Sequence, residues 1–315
     1  MPTRKSPRKG SLQYWPRKRA SKFLPSVNWK AIASDSVKKI KGFICYKCGM
    51  KSCVVKDNTP DSMTKGKEIT IPVTVLECPP IKIFSIRLYK NKKVAVDILA
   101  ENLEKDLKKK VKLPKKAGKK LDDFKIEDYD DITIIAYSLV KKSGLKKSPD
   151  LIEIGLSGSI EEKINFIKEN ITKEISILDF FEKGQLIDLR GLTKGKGFQG
   201  PVKRFGIKLR QHKSEKGVRK VGSIGPWHPA RVTFRVPMAG QLGMFTRVTY
   251  NNKILDLGKA EGKIKNIKNY GDVKNDYIVV NGSIQGSAKR QLIITHSLRP
   301  SKKQSKKEYE FGRLI

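Results

Sequence analysis

Polar and apolar residues alternate through residues 43–55, 68–78, 81–89, 186–192, 247–257, 276–281 and 291–296. A period of two sends successive side chains to opposite faces, so each stretch predicts a strand with one buried side. Glycine, asparagine and proline separate these stretches, as tight connections between strands require. Together they predict an antiparallel β-barrel.

The pattern changes between residues 93 and 182. Val96, Leu99, Leu103 and Leu107 form an apolar stripe at helical spacing, which predicts a helix over 96–111. A second helix is predicted over 159–172, where Ser159 is placed as the cap, Glu162 follows three residues later, and Ile164, Ile167 and Ile171 share a face. Residues 132–140 and 151–156 read as strands between them, giving a small α/β unit. Barrel strands flank this unit on both sides, so it is an insertion rather than a terminal domain. The fold class expected is mainly β with an α/β insertion. Residues 190–250 sustain neither period and carry ten glycines. So long an unpatterned loop in a folded domain implies a function or an ordering partner.

Charge narrows the partner. The chain holds 68 Lys and Arg against 31 Asp and Glu, a formal net charge of +37, and a polyanion offsets such self-repulsion. Residues 1–30 contain nine basic residues and no acid, interleaved with Tyr14, Trp15, Phe23 and Trp29, and cannot bury enough to fold alone. Residues 97–179 are neutral, with 17 basic and 17 acidic side chains. Residues 190–250 hold 14 basic residues against the single acid Glu215. Apolar runs such as 132–140 are too short to span a bilayer, and no apolar stretch backs the basic N-terminus. Nucleic acid is therefore the polyanion expected, with no membrane partner, for a soluble cytoplasmic protein.

Cys45 and Cys48 have the spacing of half a zinc ribbon, but no second close pair completes it, so Cys45, Cys48, Cys53 and Cys78 are expected as buried thiols without metal. The stretch GKGFQG at 195–200 matches a dinucleotide-binding pattern. Pro201, Gly206 and dense cations break the helix that would receive a pyrophosphate. Those glycines instead let backbone approach RNA phosphates, with Lys194, Lys196, Lys203 and Arg204 supplying charge. Phe198, Phe205 and Trp227 argue against a merely solvated loop. His212, His228 and His296 lack metal-protease spacing, and neither a G-x-S-x-G elbow nor a P-loop is present. No enzyme, cofactor or small-molecule substrate is expected. Pro226 and Pro229 stiffen a turn that projects Trp227, either to stack on an unpaired base or to pack on the loop's own base.

Eight stretches in order carry a family resemblance: GSLQYWPRKRA at 10–20, YKCGM at 46–50, PVTVLECPP at 72–80, TKGKGFQGPVKR at 193–204, GSIGPWHPAR at 222–231, PMAGQLG at 237–243, NDYIVV at 275–280 and GSAKR at 286–290. They resemble the universal ribosomal protein three family of the large subunit, and the short end after Lys307 and Pro226 before Trp227 look archaeal. Cys45 and Cys48 stand where relatives have small residues, which agrees with packed thiols. Glu215 stands where eukaryotic members of the family often have a histidine, methylated in some, so that modification does not carry over.

The resemblance implies a translation-protein-type barrel, an N-terminal tail in RNA and a long loop toward the peptidyl transferase centre. It also implies binding near the 3′ end of large-subunit rRNA, nucleation of subunit assembly, and neighbouring large-subunit proteins as partners. The division expected is a tail (1–40), barrel (41–92, 183–194 and 247–300), inserted unit (93–182), basic arm (195–246) and C-terminal tail (301–315). Candidate rRNA-binding residues in the tail are Arg4, Lys5, Arg8, Lys9, Arg17, Lys18 and Arg19. Those of the arm are Lys194, Lys196, Lys203, Arg204, Lys208, Arg210, Lys213, Arg219 and Lys220, with Trp227, His228, Arg231, Arg235, Gln241 and Arg247 beyond. Lys289 and Arg290 add a pair between barrel strands. A free-standing RNA chaperone would use the same charge without a fixed site.

Overall fold

A computed structural model describes residues 7, 9–32, 39–101, 103–114, 121–124, 129–214 and 216–315. In chain order its regular elements are β1 (Gly42–Asp57), β2 (Glu68–Cys78), β3 (Ile81–Lys90), β4 (Lys93–Leu99), β5 (Asp131–Ser138), β6 (Leu151–Gly155) and helix α1 (Ile160–Asn170). There follow β7 (Leu186–Leu192), β8 (Phe198–Gln199), α2 (Pro201–Phe205), β9 (Gly240–Gln241) and β10 (Thr246–Lys259). Last come β11 (Asp276–Asn281), β12 (Gln291–His296), α3 (Lys302–Ser305) and β13 (Tyr309–Leu314).

The fold is mainly β. A seven-stranded sheet has the order β12-β7-β10-β11-β2-β1-β13, and β12 pairs additionally with β1. Strand β1 is long enough to serve three neighbours: its start pairs with β12, its end with β13, and most of its length with β2, all antiparallel. A second sheet has the order β4-β3-β5-β6. The main apolar cluster joins Phe43, Tyr46, Leu76 and Ile294 of the first sheet to Ile86, Ile134 and Ile154 of the second, with Ile164 and Ile167 of α1. The opposite face of β1 builds another cluster, from Cys48, Cys53, Val55, Val75 and Val279.

All four cysteines are fully buried. Burial pushes the Cys48 and Cys78 thiols well up and Cys53 to about 11, so they pack as neutral thiols. Glu77 is also fully buried, and its carboxylate accepts from Lys274 N at 3.0 Å, Asn275 N at 2.9 Å, Asn275 Nδ2 at 2.8 Å and the Tyr270 hydroxyl. Several donors are what a buried carboxylate needs.

Helix α1 forms as expected, with Ser159 Oγ accepting from Glu162 N at 3.3 Å. The helix expected over 96–111 is replaced among the described residues: Val96 and Leu99 lie in β4, and a 3-10 turn, Lys105–Lys109, follows. Leu99, Leu103 and Leu107 still share a burial site, with Phe84, Tyr137 and Leu139, but a strand followed by a turn delivers them. Strand β3 was expected in the barrel and instead pairs with β4 and β5. The region expected as a C-terminal tail contains α3 and β13, and β13 pairs with β1 across a bulge at Val54/Val55.

The chain divides into two units, one of Met1–Phe23 with Leu192–Arg247, the other of Leu24–Gly191 with Val248–Ile315. The second contains both sheet cores described above.

Candidate nucleic-acid interface

The first unit joins the start of the chain to the arm. The two limbs of the arm are zipped at their base. Thr193 N donates to Phe245 O at 3.0 Å, Lys196 N to Leu242 O at 2.9 Å, and Leu242 N to Gly197 O at 2.9 Å, after which β8 pairs antiparallel with β9. Gly243 permits this approach, because at φ +82° a Cβ there would stand 1.9 Å from Lys194 O. The arm was expected without regular structure, yet a short helix also forms: Pro201 suits its first turn, where an N–H has no helical partner, and Gly206 ends it in the left-handed region.

Phe205, 8% exposed, is the hub on which the tail lies. The Arg17 guanidinium stands 4.8 Å from its ring centroid and that of Arg204 5.2 Å. Gly10 approaches so closely that a Cβ would fall 2.6 Å from the Phe205 ring. Ala20 N donates to Met244 O at 3.0 Å, Trp15 meets Phe234 at 5.1 Å between centroids, and Arg247 lies 4.0 Å over Tyr14. The tail thus folds by borrowing the arm's aromatic rings.

Some expected RNA contacts turn inward. Arg204 donates to Met238 O at 2.8 Å and Gln241 O at 3.0 Å, and burial together with neighbouring Arg17 lowers its pKa. Gln241 Nε2 donates to Gly243 O at 3.1 Å, Arg210 bonds Val221 O, and Arg17 bonds Ser11 O. Others face outward: Lys9, Lys18, Arg19, Lys194, Lys196, Lys203, Lys208, Lys213, Arg219, Lys220, His228, Arg231 and Arg235 are exposed. Lys22 and Lys216, exposed cations of the same unit, were missed, although local charge marks both. Lys289 and Arg290 belong to the other unit, where Lys289 N donates to Lys47 O at 2.7 Å and burial lowers the Arg290 pKa. Arg4, Lys5, Arg8 and Glu215 lie outside the described residues.

The chemistry of this surface is one-sided. Its sequence holds 21 Lys and Arg against the one acid Glu215. The acids of the neutral region are paired instead, Asp97 and Glu153 with Arg87 at 2.9 and 3.0 Å, Glu104 with Lys82 at 2.8 Å, and Asp131 with Lys163 at 2.7 Å. The first unit also exposes eleven large apolar side chains, including Trp227 at 88% and Phe198 at 77%, against five elsewhere in the described chain. Cations beside exposed rings form a surface for phosphates and unstacked bases.

A mainly β protein carrying such a surface belongs among the RNA-binding structural proteins. The family model for ribosomal protein L3 matches residues 1–311, and the chain belongs to that family. The large ribosomal subunit protein uL3 of Methanocaldococcus jannaschii is 40% identical, covering 93% of this chain and 92% of that protein. Proteins of the same name from Methanococcus maripaludis strain C7 and Methanobrevibacter smithii are 42% and 39% identical, over 93% and 94% of this chain and 91% and 93% of their own lengths. The family is structural, so this protein is a ribosomal constituent and not an enzyme.

Proposed function

We propose that the tail and arm bind large-subunit rRNA as one basic surface near the 3′ end of that RNA, that this binding nucleates subunit assembly beside neighbouring ribosomal proteins, and that the tip bearing Trp227 reaches toward the peptidyl transferase centre. The observation that carries the reading is the charge of the first unit, 21 cations against one acid, on a surface that also exposes aromatic rings. Lys9, Lys18, Arg19, Lys194, Lys196, Lys203, Lys208, Lys213, Arg219, Lys220, Arg231 and Arg235 face solvent and take phosphates; Lys289 and Arg290 add a separate contact. Arg17, Arg204, Arg210, Gln241 and Arg247 shape the surface from inside. Trp227 stacks on a base. The chemistry at the ribosome's catalytic centre belongs to RNA, and the protein's part is positioning.

The second unit holds both sheet cores. Pairings running from β1 through β2, β11, β10, β7 and β12 back to β1 support a translation-protein-type barrel. The second sheet and α1 all fall between β2 and β7 in the chain, which supports an inserted α/β unit.

Each phosphate neutralised releases counterion, so binding of the purified protein to its rRNA fragment has to weaken with salt. If about ten phosphates are neutralised, log affinity against log salt slopes at roughly −7 to −9. A slope near −2 would overturn the reading.

A further inference from the structure

Outside the tail and arm, a run of cations without an acid joins β12 to β13. Residues 299–307 contain Arg299, Lys302, Lys303, Lys306 and Lys307 and no acid. Arg299, Lys302, Lys303 and Lys306 are exposed. This is not a fraying end, because β12 before it and β13 after it both pair with β1.

The run is also fastened from beneath. Leu298 N donates to the buried Asp188 carboxylate at 3.0 Å, and Asn251 N donates to the other oxygen of that carboxylate at 2.9 Å. Asn251 Oδ1 accepts from Ser297 Oγ at 2.7 Å and Ser301 N at 3.3 Å. The Lys253 side chain, 6% exposed, brings its ammonium under the end of α3, donating to Ser305 O at 3.1 Å, to Gln304 O at 3.4 Å and to Lys307 O. A buried cation thus sits below a layer of surface cations, with Glu308 the nearby carboxylate that offsets it.

For the free protein this arrangement is electrostatically costly: burial and Lys307 both act against the Lys253 charge. A segment needing only solubility would be served by mobile, mixed charges. Fastening the backbone that carries four cations lowers the backbone entropy lost when a regular array of anions binds them.

We propose that Arg299, Lys302, Lys303 and Lys306 form a second rRNA-docking surface, separate from the tail and arm, that takes successive phosphates of an RNA backbone. The proposal rests on the rRNA-binding reading. An acidic face of a neighbouring protein is the competing occupant, but the run has no exposed apolar anchor of the kind a protein interface centres on, and four exposed cations without an acid suit the charge of an RNA backbone.

The test uses the full-length protein with large-subunit rRNA and two variants of exposed residues. One is Arg299→Gln/Lys302→Gln/Lys303→Gln/Lys306→Gln; the other, in the arm, is Lys208→Gln/Lys213→Gln/Lys216→Gln/Lys220→Gln. Each is expected to reduce the steepness of the salt dependence by about 3 and to weaken binding at least about tenfold at low salt. An all-arginine version of the first variant should restore both, which separates lost charge from lost fold. If the arm variant behaves so while the first keeps wild-type slope and affinity, the second surface is refuted and the main reading stands. The second surface stays refuted even if the first variant then drops out of assembled subunits, an outcome that assigns the run to an acidic protein face. Wild-type slopes for both variants would remove both readings.

Discussion

His296 is 4% exposed, stacked at 4.6 Å on Phe181, with Gln185 Nε2 3.0 Å from its Nδ1. An amide nitrogen only donates, so Nδ1 accepts and the ring is neutral. Burial pushes the imidazole down to about 4, below the roughly 6.5 of an unfolded chain. Between those values the unfolded state binds a proton that the folded state refuses, so stability falls as pH drops through this window and levels off below it. For this group alone the loss by pH 4.5 is roughly 2 to 3 kcal/mol. Denaturant titrations at pH 7.5 and 4.5 should show that loss in the wild type beyond whatever His296→Gln shows; equal losses would contradict the assignment. Local charge made most of the solvent-facing cations of the first unit legible in sequence, because a lysine in a run without acids has few internal partners. It could not separate Lys203, which faces solvent, from Arg204, which holds Met238 and Gln241. That distinction depends on residues more than thirty positions away, as does the meeting of Arg17 with Phe205.

Strands β7, β11 and β12, short apolar stretches bounded by polar residues or glycine, were read to the residue. Those that were missed have identifiable causes. Strand β4 follows β3 through Asn91 and Lys92, both in the left-handed region at φ 51° and 62°, the conformation of a tight hairpin turn. Sequence marks such turns best by glycine at the second position, and lysine there hid the hairpin while Val96, Leu99, Leu103 and Leu107 matched helical spacing. In β13 the bulge opposite Val54/Val55 breaks the alternation that would have exposed it. The β3–β4 turn also yields a prediction. Lys92 is exposed, and its backbone strain is relieved by glycine at a cost in unfolded-state entropy, so Lys92→Gly should raise stability by up to about 1 kcal/mol. Equilibrium unfolding in urea measures it, and a fall in midpoint would mean that the lysine side chain contributes more than the strain removes.

Across the whole molecule the +37 charge is unevenly held, and the first unit carries 21 cations with one acid. The tail and arm stay folded against their own repulsion through a few rings and backbone bonds centred on Phe205 and the 193–197 zipper. Salt therefore acts on this unit in two opposite directions. Raising ionic strength from about 0.01 M to about 0.15 M shortens the screening length from roughly 30 Å to roughly 8 Å, which weakens repulsion between its cations. The free protein should then show slower amide exchange at Ala20, Lys196, Leu242 and Phe245, whose hydrogen bonds hold the unit together, with smaller changes in the sheet strands of the second unit. Over the same range the affinity for rRNA should fall, because less is gained by releasing counterions into a saltier solution. Bound RNA replaces salt as the neutralising agent, so in the complex those amides should be protected at low salt too. Exchange at these four sites that is indifferent to salt in the free protein would mean that packing alone secures the tail on the arm, and that its charge is reserved entirely for the RNA.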